Sequence, residues 1–188
     1  MSRIPELSPE SMTDEQRAVA DEIVSGPHRR IVGPYPAWLQ SPDLARRARS
    51  LSEFIRFRSS LPRHLSELAI LVAGSFWRAE FEFYAHSILA KEAGVDEAVI
   101  AALAQQRRPP FQHEDEELVY DVCSQLFETR RLSEALYGRA VEALGLPTVV
   151  ELVATIGYYS MVSLTLNAFD VSLPSGERSP FPDAKPAQ

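Results

Sequence analysis

The segment from Arg63 to Gly94 constrains the fold more than any other part of the chain. It opens as RHLSELAILVAGSF and continues as WRAEFEFYAHSILAKEAG, with no proline in it. Apolar residues recur at helical spacing along most of its length. Gly94 stands where a left-handed C-terminal cap is needed. The pattern predicts two consecutive helices with a break near Gly74-Ser75. The first is apolar on nearly every side, which marks a buried helix. Yet Glu67, Glu80, Glu82 and His86 lie within the segment. Buried charge is costly unless it is partnered, so these side chains are the first candidates for a site.

The rest of the chain also reads as helices. Thr13-Asp14-Glu15-Gln16 is a capping box opening a helix to about Ser25. Gly26-Pro27 and Gly33-Pro34-Tyr35-Pro36 predict an irregular loop. Ser41-Pro42 reads as a helix start, with a helix to about Phe57 and an apolar face of Leu44, Ala48, Leu51, Phe54 and Ile55. Asp96 caps a short helix to about Gln105, and Pro109-Pro110 sets a loop. Helices are expected over 114–129, from Ser133 to Gly145, and over 147–169. Pro174 to Gln188 is a tail with little to bury. With no strand signal and no tandem repeat, the fold class is all-α, a single-domain helical bundle. The expected division is an N-terminal helix and loop over 1–35, a helical domain over 36–172 and an extended tail over 173–188.

Composition narrows the function classes. The 188 residues suffice for one domain with a core. A formal charge of -7 argues against nucleic acid, which requires a basic face. The longest apolar stretch, Val149 to Val171, is interrupted by Glu151, Tyr158, Tyr159, Asn167 and Asp170, so no membrane span is expected. MSRIPELSPE has no apolar signal core, and a cytoplasmic location is expected. Cys123 is the only cysteine, which excludes an intrachain disulfide and a cysteine zinc site.

Glu82 and His86 are four residues apart and share a helix face. A carboxylate fixes the tautomer of an imidazole and raises its pKa, and such an imidazole can move protons. The plainer reading is a surface pair or a satisfied core histidine. Two antiparallel helices would bring Glu67 opposite that face, although Glu67 could instead pair with Arg63. Two glutamates and a histidine could also hold a metal, but no second Glu-x-x-His and no His-x-x-x-His is present. Cys123 lies among Leu118, Val119, Val122, Leu126 and Phe127 and reads as a small buried hydrophobe. The run His113 to Glu117 reads as a solvated helix start. Arg46, Arg47, Arg49, Arg56 and Arg58 form a basic helix, mostly solvent-facing, from which one arginine could bind a carboxylate bidentately. Tyr158, Tyr159 and Asn167 place polar groups in an apolar helix, as pocket lining or as core packing.

Two separate segments together resemble a known family. The first is Arg63, Glu67, Leu68, Ile70, Leu71 and Ala73, followed by Glu80 to His86, Ala90 and Gly94; the second is Glu151 to Asp170. In order and spacing they resemble the carboxymuconolactone decarboxylase family, which also contains alkylhydroperoxidase-D-type proteins. The resemblance spans roughly residues 40 to 172. It implies an all-helical fold that assembles as a homotrimer or homohexamer. The peroxidase branch carries Cys-x-x-Cys-x-x-x-His on its second central helix. Those cysteine positions are Ala79 and Glu82 here, so the dithiol reduction of peroxides has no thiols to run on. Glu67 and His86 match that branch's proton-relay glutamate and histidine.

The resemblance therefore implies a lyase of the decarboxylase type, acting in aromatic-compound catabolism on a small carboxylated or lactone-like molecule. It implies neither metal nor organic cofactor. His86 is the expected general acid/base, Glu82 its orienter and Glu67 a second relay group. Arg63, Arg78, Tyr84, Tyr158 and Asn167 are the expected substrate-binding residues. The alternatives are a non-catalytic small-molecule-binding or assembly protein of the same fold, and an alkylhydroperoxidase-like antioxidant using Cys123 alone.

Overall fold

The structure, a computed structural model, describes residues 2–5, 7–27 and 29–182. Among them are nine helices and no strand. They are α1 (Asp14–Ser25), α2 (Tyr35–Trp38), α3 (Pro42–Phe57), α4 (Arg63–Phe76), α5 (Glu80–Ala93), α6 (Glu97–Ala104), α7 (Glu114–Thr129), α8 (Glu134–Leu144) and α9 (Leu146–Ala168).

Helix α4 is the axis of the bundle. Every residue from Leu65 to Ser75 is buried. It packs against α5, α7 and α9 and separates two apolar cores. Leu65, Leu68, Ala69, Leu71 and Val72 face the core shared with α6, α7, α8 and the first half of α9. Ile70 and Ala73 face the core built from α1, α2, α3 and the second half of α9. A helix with cores on both sides needs apolar residues all round, which is what LSELAILVAGS supplies.

The break between α4 and α5 falls at Trp77-Arg78-Ala79, after Gly74-Ser75 and not at it. Arg78 takes a left-handed conformation, φ 49°. The turn is held from outside: Asn167 Nδ2 donates to the Trp77 carbonyl at 2.7 Å, and Arg78 donates to Gln106 Oε1 at 2.9 Å. Helix α5 ends at Gly94, whose φ of 98° allows the left-handed cap. At the other end of the chain, Thr13 and Gln16 form the capping box. Gln16 also donates to the Leu39 carbonyl at 3.1 Å, which ties α1 to the end of α2.

Four expectations need correction. The segment from Tyr35 to Trp38 is a single helical turn, because Pro34 and Pro36 preset helical φ values. Ser41 precedes α3 without a side-chain capping bond. The buried face of α3 is Ala45, Ala48, Ser52 and Ile55, while Leu44 and Leu51 are exposed. The tail does bury something: Phe181 is 2% exposed, packs 5.1 Å from the Phe83 ring, and has the Arg78 guanidinium 5.0 Å from its own ring centre. Ser179 donates to Glu80 Oε1 at 2.7 Å, so this segment is fastened along α5. The remainder of the expected tail, 183–188, lies outside the described residues.

Helix α9 is the one helix among the described residues with the length and hydropathy of a membrane span. More than half of its apolar window is buried within the bundle, as a core helix requires.

Candidate functional site

Glu67 projects from α4, and Glu82 and His86 project from α5. The packing of these two helices brings all three together. His86 Nδ1 lies 2.6 Å from Glu67 Oε2, and Nε2 lies 3.0 Å from Glu82 Oε1. The groups are 6%, 5% and 4% exposed, so no bulk water shares the contacts. The bond to Glu67 is well aligned. The contact to Glu82 is close in distance but poorly directed, and Glu82 Oε1 receives no hydrogen bond. Glu82 occupies the first turn of α5, where the helix dipole favours a carboxylate.

Burial acts most strongly on His86 and by itself would lower its pKa. The close Glu82 carboxylate, the hydrogen bond to Glu67 and the Glu67 charge together outweigh it. The result is a pKa raised to about 9. At neutral pH the ring is therefore an imidazolium between two carboxylates. Tyr159 from α9 meets it edge-on, with ring centres 5.1 Å apart.

His86 and Glu82 form part of the wall of a cavity of ≈ 160 Å³. Helix α9 contributes Tyr158, Tyr159 and Val162, α3 contributes Ser52 and Arg56, α2 contributes Tyr35, and the loop before α2 contributes Arg30 and Gly33. The Ser52 side chain meets the Tyr35 and Tyr158 phenols in this wall and acts on both. Burial pushes the Tyr35 phenol up to about 12 and raises Tyr158 and Tyr159 further, so all three stay protonated. Gly33 has φ 64°, and a Cβ there would come within 3.2 Å of the Phe81 ring, which also lines the cavity. The arrangement offers a proton donor, neutral hydroxyls and two arginines around a small space with aromatic walls.

The expected substrate-binding residues divide. Tyr158 lines the cavity. Arg63 is exposed at the start of α4 and pairs with Glu92 at 3.4 Å. Arg78 serves the α4–α5 turn, and Asn167 caps that turn from α9. Tyr84 faces Glu177 of the C-terminal segment, which acts on its phenol. None of these four lines the cavity. Their distance follows from helix phase: Tyr84 is two residues from both Glu82 and His86, which turns it to another face.

Sequence reasoning did not single out Ser52, Tyr35 or Phe81, and it named Arg56 only as one of five helix arginines. A signal was present, since Ala48, Ser52 and Arg56 are four residues apart and follow one line up α3. The run from His113 to Glu117 begins α7 as expected, although Glu116 is buried. Cys123 is buried in the core, and burial drives its thiol well above the ordinary range. No group of three His, Cys, Asp or Glu side chains among the described residues is arranged to hold a metal ion.

No family model and no curated protein matches the sequence. Two solved structures are similar in fold. One is an uncharacterized peroxidase-related protein from Silicibacter sp. TM1040, with TM-score 0.75, 12% identity, and coverage of 93% of this chain and 92% of that one. The other is an alkylhydroperoxidase AhpD core, an uncharacterized peroxidase-related protein from Ralstonia eutropha JMP134, with TM-score 0.76, 11% identity, and coverage of 93% of each chain. Over nearly its whole length the chain therefore has the all-helical alkylhydroperoxidase-D-like fold.

Proposed function

We propose that the chain is a proton-transferring lyase, of the carboxymuconolactone decarboxylase type, acting on a small carboxylated or lactone-like molecule. The observation that carries this reading is His86, charged and buried between Glu67 and Glu82 in the wall of a cavity. In the proposed step the bond between the ring carbon and the departing carboxylate breaks and carbon dioxide leaves. The electron pair stays on the substrate as an enolate-like anion. The His86 imidazolium then delivers its proton to that carbon, and water restores the proton to His86. Glu82 and Glu67 keep the imidazole charged and aimed. The tyrosine hydroxyls face the developing negative charge. The residues themselves supply the acid and the charge stabilisation, so the reading needs neither metal nor organic cofactor.

The similar structures carry peroxidase-related names, but the dithiol route has no thiols at Ala79 and Glu82. The lone thiol of Cys123 is buried and protonated. The same reading places the protein in the cytoplasm, in aromatic-compound breakdown, as a homotrimer or homohexamer. Assembly is supported by the outer face of α9, where Leu146, Val150, Val153 and Leu164 are exposed.

The test is carbon dioxide release from a panel of γ-lactone carboxylic acids in chelator-treated buffer. Wild type is expected to release it, and folded His86→Gln to be slower by about 10²- to 10⁴-fold. Thermal stabilisation by these acids with no turnover would instead indicate a binding protein. Robust thiol-dependent turnover of hydroperoxides would favour the antioxidant reading.

A further inference from the structure

Two arginines line the cavity, Arg30 on the exposed surface and Arg56 partly buried, and the proton-transfer chemistry leaves both unassigned. Arg56 lines the cavity from α3, half-buried. The neighbouring arginines are committed elsewhere: Arg49 pairs with Glu53 at 2.6 Å and with Glu22 at 3.3 Å, Arg46 with Glu22 at 3.2 Å, and Arg47 with Asp43 at 3.2 Å. Among the described residues no carboxylate pairs with Arg56; its guanidinium stands 5.3 Å from the exposed Phe57 ring. Its charge nevertheless reaches into the site, acting on Tyr35, Tyr158 and Tyr159.

The charges are arranged across the space. Arg56 comes from α3 and His86 from α5, and both helices pack on α9, which sets Tyr158 and Tyr159 between them. Both tyrosines feel the Arg56 cation and the Glu82 carboxylate. The His86 end sets two carboxylates, Glu67 and Glu82, against one imidazolium, so it is net negative. That end repels an anion, and the Arg56 end attracts one. Size narrows the ligand further. A cavity of about 150 Å³ holds one benzene ring, and this one measures ≈ 160 Å³ with Phe81, Tyr158 and Tyr159 in its walls.

We infer that Arg56 is the anion anchor of this site: it binds a carboxylate of a single-ring ligand, opposite His86, and thereby sets which ring atom meets the imidazole. This deepens the reading of the cavity as the working site and rests on it. The anchored carboxylate is the one the ligand keeps, and the reacting group is the one turned toward His86. An arginine fork suits this task because it grips a carboxylate through two parallel N–H donors. Arg56, half-buried in the cavity wall of a chain of net charge -7, also explains how an acidic protein admits an anion, and the exposed Arg30 beside the same cavity adds to the attraction.

The experiment is calorimetric titration with benzoate and with benzamide, its uncharged counterpart of the same shape. Wild type is expected to prefer benzoate by at least about tenfold, the scale of a charge-assisted hydrogen bond. Arg56→Gln should lose about 10- to 100-fold in benzoate affinity and the preference with it. Arg56→Lys should recover part of both, because it restores the charge without the fork. Arg63→Gln, on the exposed surface, should leave the titration unchanged. Equal benzoate affinity in wild type and Arg56→Gln overturns the inference, as does a wild type that binds neither probe or prefers neither. Failure of the proton-transfer reading looks different: benzoate binding would still depend on Arg56, while folded His86→Gln kept full turnover.

Discussion

At the scale of single residues, the histidine and its two carboxylates form one electrostatic unit. Its pH dependence follows from the raised pKa of His86. The groups facing the ring are Glu67 from α4, Glu82 from its own helix and Tyr159 from α9, with Arg56 and Tyr158 across the cavity. An unfolded histidine titrates near pH 6.5. The stabilisation from the charged ring is thus complete below that pH and is lost as pH rises through about 9. Thermal denaturation should show wild type losing stability between those limits, and Glu82→Gln, with one attracting charge removed, losing less over the same range. Cys123 belongs at this scale too. Cys123→Ala should leave turnover unchanged, and the native thiol should resist alkylation until the protein unfolds; rapid modification of native protein would contradict its burial. Glu67, Glu82 and His86 were legible because charge inside an apolar helical run is costly enough to demand a partner. Arg56 was not, because an arginine on a helix with three others carries no sequence mark of which one faces inward.

The elements show where helical periodicity succeeds and where it fails. The heavily apolar α4 and the capped α1 are read from sequence, since their burial and capping are local properties. The face of α3 was misjudged because Leu44 and Leu51 are exposed while Ser52 points into the cavity. A serine at a buried position is legible only through its partners, Tyr35 and Tyr158, which come from distant parts of the chain. The C-terminal segment was misjudged for the same reason, since one aromatic in a proline-containing tail has no period. Phe181 nonetheless fills a space beside Phe83. Phe181→Ala should therefore lower stability by about 3 kcal/mol, the low end for a buried phenylalanine, read by urea denaturation. An unchanged midpoint would mean that the segment does not pack along α5. Gly33→Ala should strain the left-handed backbone and crowd Phe81, weakening benzoate binding more than it weakens the fold.

For the whole molecule, the all-α class was legible because every long apolar stretch has helical spacing and helical punctuation. The sharing of α4 between two cores was not, since no local pattern shows which apolar residues face which side. Assembly belongs to this scale. The exposed residues Leu146, Val150, Val153 and Leu164 lie three to eleven positions apart on α9, and Ala154 and Gly157 on the same helix are also exposed. A uniformly apolar, small-residue face is suited to packing on a helix of another copy. Light scattering at micromolar concentration should report a homotrimer or homohexamer, and Val150→Glu should dissociate it without unfolding the protomer. A stable monomer in wild type would contradict this.

The proposed chemistry turns on the charge state of one ring, and that is open to direct measurement. Nitrogen NMR of ¹⁵N-histidine-labelled protein, titrated from pH 5 to pH 10, reports the protonation of both His86 nitrogens, with His86→Gln assigning the signal. The structure predicts two protonated ring nitrogens at neutral pH and a transition near pH 9, shifted downward in Glu82→Gln. A wild-type His86 that is neutral at pH 7, with its transition at or below the ordinary value of about 6.5, would contradict the account, since the proton it is proposed to deliver would not be there.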